Sequence, residues 1–249
     1  MYHSIADDDP STSHPYYQTT ATIAAFEAQV RFLCDQGYKT VGIEEAFAGR
    51  ATNQKYAVIT FDDGYQNFYD NAYPVLAKYG ATATMYLPTD FIGDTPRLFK
   101  GLPCMTWSQV RELMVKGITF GSHSVTHRKL DGLNRVDLNR ELQVSKEQIE
   151  QRTGTAVENF AYPFAFPEAD AEFSSMFKEL LAQNGYRFNV TTIIGTAARQ
   201  SDPYLIRRLP VNTWDDDALL RAKLRGAYNW LHLFQYGSKL LKRGTKHAA

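Results

Sequence analysis

The fold is decided by the stretch Tyr56-Ala57-Val58-Ile59-Thr60-Phe61-Asp62-Asp63-Gly64. Its first six residues are almost all apolar or β-branched, which is typical of a strand covered on both faces in a parallel sheet. Two carboxylates and a glycine follow at once. In α/β folds, functional groups lie at the carboxyl ends of parallel strands, where the connecting loops converge. The pair Asp62 and Asp63 is therefore the first candidate for a functional site.

Strand-like runs alternate with helical patterns along most of the chain. Helices are predicted from Ile23 to Gln36, where apolar residues recur every three or four positions, and from Thr106 to Lys116, which begins with a capping box. About seven strands separated by helix-length segments predict parallel βαβ units, in an open doubly wound sheet or, as the length favours, a barrel. The other predicted strands are Lys39 to Ile43, Ala83 to Leu87, Ile118 to Gly121, Asn159 to Tyr162, Tyr186 to Thr191 and Leu205 to Val211.

Composition and charge exclude several classes of protein. The 249 residues include 27 basic and 27 acidic side chains, so the formal net charge is zero. A nucleic-acid-binding surface normally needs a clear basic excess, so we expect no nucleic-acid partner. The only two cysteines, Cys34 and Cys104, exclude a zinc finger. Two free thiols are favoured over one long-range disulfide.

The termini give expectations about location. No run approaches the roughly 20 apolar residues of a membrane span, and the first residues lack the pattern of an export signal. We therefore expect a cytoplasmic or membrane-peripheral protein, or an extracytoplasmic one if a signal has been removed. Residues 216–249 are predicted to form a basic amphipathic helix or tail after a barrel at 1–215. This tail could rest on an anionic membrane surface or pack on the barrel with a frayed basic end.

A second polar cluster follows the predicted strand Ile118 to Gly121. His123 and His127 stand four positions apart, which on a helical turn places two imidazoles on one face and suits a shared Zn²⁺. With one of the two aspartates they make a three-ligand site with an open position for water, and the other aspartate could act as the base. His3, at the end of the first strand-like segment, could face the same site.

The stretches Thr60-Phe61-Asp62-Asp63-Gly64-Tyr65 and Gly121-Ser122-His123-Ser124-Val125-Thr126-His127 resemble the first two motifs of the polysaccharide deacetylases, carbohydrate esterase family 4, which share the NodB homology domain. The resemblance extends from Met1 to about Asn212. It implies a single-domain, distorted (β/α)7 TIM-like barrel. It also implies that Asp62 is the catalytic base and that Asp63, His123 and His127 ligate one divalent metal ion. Zn²⁺ is the favoured ion, and other divalent transition metals are the alternatives. The implied reaction removes acetyl groups from an N-acetylated glycan and releases acetate.

The third motif departs from the family pattern. The family usually has Arg-x-Pro followed by an aromatic residue, whereas this chain has Phe160-Ala161-Tyr162-Pro163-Phe164. Ala161 stands where the arginine is expected, so the base lacks its usual orienting cation. Arg208, on another predicted strand, could supply that charge, or Arg207 and Arg208 are ordinary surface cations. The backbone N–H of Phe164 is a candidate oxyanion donor, since that role needs no particular side chain.

The general acid and the sugar-binding residues are less sharply indicated. The family's acid is a histidine in a Leu-x-His context, but His232 lies in a predicted aromatic-rich helix and is not assigned that role. His3 is the other candidate, with a purely structural histidine as the alternative. The candidate substrate-binding residues are Tyr65, Tyr162, Pro163, Phe164 and Trp214.

The sequence therefore predicts a metal-dependent hydrolase of carbon–nitrogen amide bonds that acts on the N-acetyl groups of a glycan. Two alternatives stay open. One is hydrolysis of another small or cyclic amide on the same barrel. The other is a catalytically inactive glycan-binding module, which the missing arginine at Ala161 suggests.

Overall fold

A computed structural model describes residues 1–7, 20–48, 53–198 and 200–237. The strands within these ranges are β1 (Ser4–Ile5), β2 (Thr20–Ala21), β3 (Tyr38–Thr40), β4 (Lys55–Ala57), β5 (Thr60–Phe61), β6 (Thr84–Leu87), β7 (Leu98–Phe99), β8 (Leu102–Pro103), β9 (Thr119–Ser122), β10 (Asn159–Ala161), β11 (Phe188–Ile194) and β12 (Ile206–Arg208). The α-helices are α1 (Ile23–Asp35), α2 (Ile43–Ala48), α3 (Tyr73–Lys78), α4 (Trp107–Val115), α5 (Arg135–Thr153), α6 (Ala171–Gln183) and α7 (Asp217–Leu224).

Six parallel strands form the central sheet, in the order β12-β11-β10-β9-β6-β5. The N-terminal segment joins the two edges of this sheet. Tyr2 bridges Phe61 in parallel, and the Tyr2 N–H donates to the Thr60 carbonyl at 2.8 Å. On the opposite side, the Val211 N–H donates to the Met1 carbonyl at 3.1 Å. Six sheet strands and this segment make a ring of seven, so the predicted distorted α/β barrel is confirmed.

Most predicted elements are present with shifted ends. Thr106 caps α4 and forms the predicted capping box with Gln109. The predicted strand from Lys39 to Ile43 is wrong at its end, because Ile43 begins α2, whose first turn carries two glutamates that favour a helix N-terminus. The predicted strand from Tyr56 to Phe61 is divided into β4 and β5. The first part pairs with β3 and the second with β6.

The barrel interior holds a small cluster of buried side chains apart from the main core under the helices. It comprises Ile43, Tyr86, Ala161, Phe188, Val190 and Ile206. Its strand residues alternate with neighbours that face the helices, as the pleat of a barrel requires. Gly121 leaves room for the Tyr86 ring, since a Cβ there would lie 2.6 Å from that ring.

The segment after the last strand packs on the barrel. In α7, Lys223 pairs with Asp215 at 2.6 Å, and Arg221 donates to Gln36 at 2.5 Å. Residues 231–237 are helical. The division at residue 215 stays a prediction, and 238–249, the rest of the basic tail, lie outside the described residues. Membrane contact by that tail therefore also stays a prediction.

Two further expectations concern cysteines and membrane spans. Cys34 and Cys104 are both free, as predicted. No helix in the described part of the chain has the length and apolar character needed to cross a membrane.

Candidate metal centre and active site

A tight turn separates the two adjacent aspartates after β5. Asp63 and Gly64 both have left-handed backbone conformations, with φ of 74° and 68°. Aspartate tolerates this conformation better than most residues. Glycine is needed next to it, because a Cβ at Gly64 would lie 2.9 Å from the Ile92 side chain. The turn directs the carboxylates of Asp62 and Asp63 to different partners.

Asp63, His123 and His127 form a buried cluster whose three ligand atoms lie within 4.8 Å of one another. Asp63 Oδ1 is 3.6 Å from His123 Nε2 and 3.2 Å from His127 Nε2. Asp63 Oδ1 and His123 Nε2 are buried and have no hydrogen-bond partner among the described residues. One carboxylate oxygen and two imidazole nitrogens that converge in this way fit a divalent cation.

The two histidines lie on an irregular loop after β9, so the expectation of a helical turn is wrong. Ser124 and His127 have positive φ values of 67° and 52°, and the His127 N–H donates to Ser124 Oγ at 3.0 Å. The ring centroids of His123 and His127 are still only 4.8 Å apart. His123 Nδ1 lies 2.7 Å from the Ala161 carbonyl. This contact fixes the ring so that Nε2 faces the cluster, as is usual for metal-binding histidines.

Glu141 of α5 holds this histidine loop in place. Its carboxylate accepts hydrogen bonds from the backbone N–H groups of Val125 (2.8 Å) and Thr126 (3.0 Å) and from Thr126 Oγ1 (2.7 Å). Glu141 is only 5% exposed. Sequence reasoning missed this residue. The available signal was an acidic side chain on the same face of the helix as Leu138 and Ser145.

Asp62 is not part of the cluster and binds Arg208 instead. Two guanidinium nitrogens of Arg208 donate to Asp62 Oδ1 and Oδ2 at 2.7 and 2.8 Å. The Arg208 Nε–H donates to the Thr191 carbonyl at 2.9 Å, and the guanidinium lies 5.9 Å from the centroid of the Tyr86 ring. Asp62 and Arg208 are both buried. The structure thus places the Arg208 cation on Asp62, whereas Ala161 packs in the barrel interior beside Tyr86.

The pKa values of both aspartates are shifted by opposing effects. Burial raises the pKa of the Asp62 carboxyl, but the charge and hydrogen bonds of Arg208 outweigh it and hold that pKa well below its usual range. Burial also raises the pKa of Asp63, and the neighbouring histidines and Lys100 lower it further than burial raises it. Both carboxylates are therefore ionised at neutral pH.

Burial favours the neutral forms of two histidines close to these carboxylates, His123 and His3. Burial lowers the pKa of His123 to about 4, which leaves its ring in the form that binds metals. Burial is also the main cause that lowers the pKa of His3. His3 Nε2 lies 3.8 Å from Asp62 Oδ2. His232 instead lies near Arg207 and Glu168, at 3.5 and 3.9 Å.

The predicted substrate-binding residues divide into exposed and buried groups. Phe164 is 43% exposed and Trp214 is 62% exposed, and the Phe164 ring centroid is 4.8 Å from that of His127. Tyr65 is buried beside Asp63, and burial first and this carboxylate second raise its pKa. Tyr162 and Pro163 are buried as well. Tyr162 packs among Phe166, Phe173 and Phe177, so its ring is not exposed to a sugar. The assignment of the five residues to substrate binding stays a prediction.

Comparison with known families agrees with the geometry of this site. The family model described as polysaccharide deacetylase matches residues 49–188. The chain belongs to the polysaccharide deacetylase family. The match contains Asp62, Asp63 and both cluster histidines but ends before Arg208.

Individual relatives and solved structures extend the likeness over most of the chain. YxkH of Bacillus subtilis (strain 168), which carries a provisional polysaccharide deacetylase name, is 31% identical over 85% of this chain and 70% of its own length. The poly-β-1,6-N-acetyl-D-glucosamine N-deacetylase of Staphylococcus epidermidis is 27% identical over 88% of this chain and 80% of its own length. The Streptococcus pyogenes deacetylase PplD shares the fold, with a TM-score of 0.76, 24% identity and coverage of 90% and 95% of the two chains.

In this polysaccharide deacetylase, Arg208→Lys is expected to lower turnover by about 10- to 100-fold while the metal content stays normal. A lysine cannot hold both oxygens of Asp62, and a displacement of about 1 Å at a reacting group can cost roughly a hundredfold in rate. Activity and metal content of the purified variant give the comparison. Arg207→Lys, a change beside His232, is the matched control.

The pH dependence of activity separates the effect of Asp62 orientation from the effect of the Arg208 charge. In Arg208→Met the cation and its hydrogen bonds to Asp62 are gone while burial still acts on this carboxyl, so its pKa rises. Because a base works only above its pKa, the acid limb of the activity profile should move to higher pH in Arg208→Met and move less in Arg208→Lys. Unchanged turnover in Arg208→Lys would show that Asp62 needs no bidentate partner.

Proposed function

We propose that this protein is a metal-dependent deacetylase that removes N-acetyl groups from a polysaccharide or oligosaccharide by hydrolysis. The observation that carries the proposal is the division between two adjacent carboxylates. Asp63 and two histidines converge on one buried point. Asp62, the preceding residue, is held by Arg208. A carboxylate that ligates the metal ion is not available to accept a proton from water, so the hydrolase needs a second carboxylate as its base.

Asp63, His123 and His127 would hold the metal ion, and we take Zn²⁺ as that ion. Zn²⁺ accepts two imidazoles and one carboxylate and keeps a position open in catalytic sites. When bound, such an ion supplies a Lewis acid that polarises a carbonyl and lowers the pKa of water. The neutral state of His123 and the ionised state of Asp63 suit this binding, since protons would compete with the ion.

The remaining residues handle protons and orientation. Asp62 accepts the proton from the water that attacks the acetyl carbon, and Arg208 keeps both Asp62 oxygens in place. The Phe164 N–H donates to the oxygen that becomes negative. Because the depressed pKa leaves His3 neutral at rest, His3 receives the proton from Asp62, 3.8 Å away, and delivers it to the sugar nitrogen as the carbon–nitrogen bond breaks. The products are acetate and a free amine.

The choice of substrate class rests on the relatives and on the open side of the site. The relative from Staphylococcus epidermidis is named for deacetylation of poly-β-1,6-N-acetyl-D-glucosamine. Phe164 exposes its apolar ring beside His127, and the Trp214 ring is exposed as well. Such rings can stack on sugars. The reason for considering an inactive glycan-binding module was the missing arginine, and Arg208 supplies that charge to Asp62.

Acetate release from N-acetylglucosamine oligomers tests this function. The protein is stripped with chelator and reloaded with Zn²⁺, then offered β-1,4- and β-1,6-linked oligomers and a set of small cyclic amides. We expect acetate from at least one oligomer series, only after reloading. Hydrolysis of a cyclic amide alone would favour the other amidohydrolase function. Glycan binding without acetate release, unaffected by chelator, would favour the binding module.

A further inference from the structure

A short hairpin covers one side of the metal cluster. β7 and β8 pair in antiparallel fashion and are joined by Lys100 and Gly101, which have φ values of 50° and 84°. Phe99, next to the turn, is buried and its ring centroid lies 4.9 Å from that of His127. The hairpin is also tied at its base, where the Cys104 N–H donates to the Arg97 carbonyl at 2.8 Å. The turn is therefore held against the cluster.

The side chain of Lys100 reaches the metal-ligating carboxylate from the open side. Its Nζ lies 3.3 Å from Asp63 Oδ2, whereas Oδ1 of the same carboxylate faces the two histidines. The ammonium also lies 4.5 Å from the Phe99 ring centroid and 5.7 Å from the Phe164 ring centroid. The Lys100 side chain is 48% exposed. A positive charge thus stands between the cluster and the solvent.

Neither the turn nor the metal accounts for a lysine at this position. A two-residue turn with two positive φ values favours Asn-Gly or Gly-Gly, and a long side chain is unfavourable there. A cation at Oδ2 also repels a divalent ion bound at Oδ1, so it does not favour metal binding. Strained residues that persist tend to lie at functional sites.

We propose that Lys100 is the anion-binding residue of the site. On the proposed function, a neutral N-acetyl group enters, negative charge develops on its carbonyl oxygen, and an anion, acetate, leaves. Arg208 is already committed to both oxygens of Asp62. Lys100 is a partly exposed cation in direct contact with the cluster. Its ammonium binds the developing oxyanion and then the acetate carboxylate, beside the Phe164 N–H.

The test compares Lys100→Met and Lys100→Arg in the full chain loaded with Zn²⁺. Methionine keeps an apolar stem against the two phenylalanines but removes the charge. We expect acetate to bind Lys100→Met about tenfold more weakly, since a hydrogen bond to a charged group has about this worth, and turnover to fall by about tenfold. Lys100→Arg should keep acetate affinity within about threefold. Calorimetry measures acetate binding directly, without a glycan.

Two controls keep the inference open to contradiction. Arg97→Met removes an exposed cation from the same hairpin, away from Asp63, and should leave acetate affinity unchanged. Lys100→Asn suits the left-handed turn and lacks the charge, so it should lose acetate affinity like Lys100→Met even if the methionine variant folds poorly.

Metal binding separates the proposed role from a merely structural one. Competition with a chromophoric chelator should show that Lys100→Met binds Zn²⁺ as tightly as the parent protein or more tightly. Weaker Zn²⁺ binding with unchanged acetate affinity would show that Lys100 only orients Asp63, and the inference would be wrong. Acetate affinity and Zn²⁺ affinity are both measured without a glycan. If the protein deacetylates no oligomer, the proposed function is wrong, but the two affinities still test the role of Lys100.

Discussion

His123→Ala is expected to abolish most binding of the divalent ion and to lower deacetylase turnover by roughly a thousandfold or more. The variant leaves two of the three converging ligand atoms, Asp63 Oδ1 and His127 Nε2, which lie 3.2 Å apart. The stabilisation that a Lewis acid gives to a developing charge amounts to several kcal/mol, and each 1.4 kcal/mol is about tenfold in rate.

The measurement is metal content after stripping with chelator and reloading, followed by acetate release on the same sample. His232→Ala is the matched control, because His232 contacts Arg207 and Glu168 and should leave metal content and turnover unchanged. Full metal content in His123→Ala would contradict the assignment of the cluster. Loss of metal content and turnover in both His123→Ala and His232→Ala would point to general misfolding instead.

Asp62→Asn should retain near-normal metal content and lose at least about a hundredfold in turnover. General-base catalysis contributes about 100- to 10,000-fold, and asparagine keeps the shape of aspartate without its basicity. Asp62 does not belong to the cluster of three ligand atoms, so the ion should stay. Metal analysis and acetate release on one preparation separate the two effects. Retained activity would show that the two aspartates are assigned the wrong way round.

The same substitution has a cost in stability that a double variant isolates. In Asp62→Asn the guanidinium of Arg208 stays buried without its counter-charge, and breaking one side of a buried pair is destabilising by about 3–5 kcal/mol. Asp62→Asn combined with Arg208→Met removes both charges. We expect it to recover much of the thermal stability and none of the activity. Recovered activity would mean that Asp62 does not act as the base.

Sequence reasoning located the reactive groups because they obey a local rule. A buried β-rich run followed directly by Asp62 and Asp63, and another followed by His123 and His127, place all four side chains at strand ends. The carboxyl ends of parallel strands converge, so groups that follow different strands come together whatever the details of packing. The barrel itself follows from the same alternation of strands and helices.

Side-chain surroundings did not follow from such a rule. Nothing in the residue pattern distinguishes Tyr162, whose ring packs in the core, from Phe164, whose ring is exposed beside His127. The difference arises because Phe164 adopts a left-handed backbone conformation, with φ of 60°, which turns the chain outward after β10. The irregular histidine loop, held by Glu141, was likewise not visible in a four-residue spacing.

By itself, the sequence determined the alternating α/β architecture, the strand ends that carry chemistry and the residue types of a metal site. Only the tertiary structure decided that Arg208 reaches Asp62, that Glu141 holds the histidine loop and that Lys100 faces Asp63 from the hairpin. The physical reason is that these contacts join strands, helices and turns far apart in the chain. Their geometry depends on how Met1 and Tyr2 close the barrel and on which side chains its interior can accommodate, and neither is encoded in any one segment.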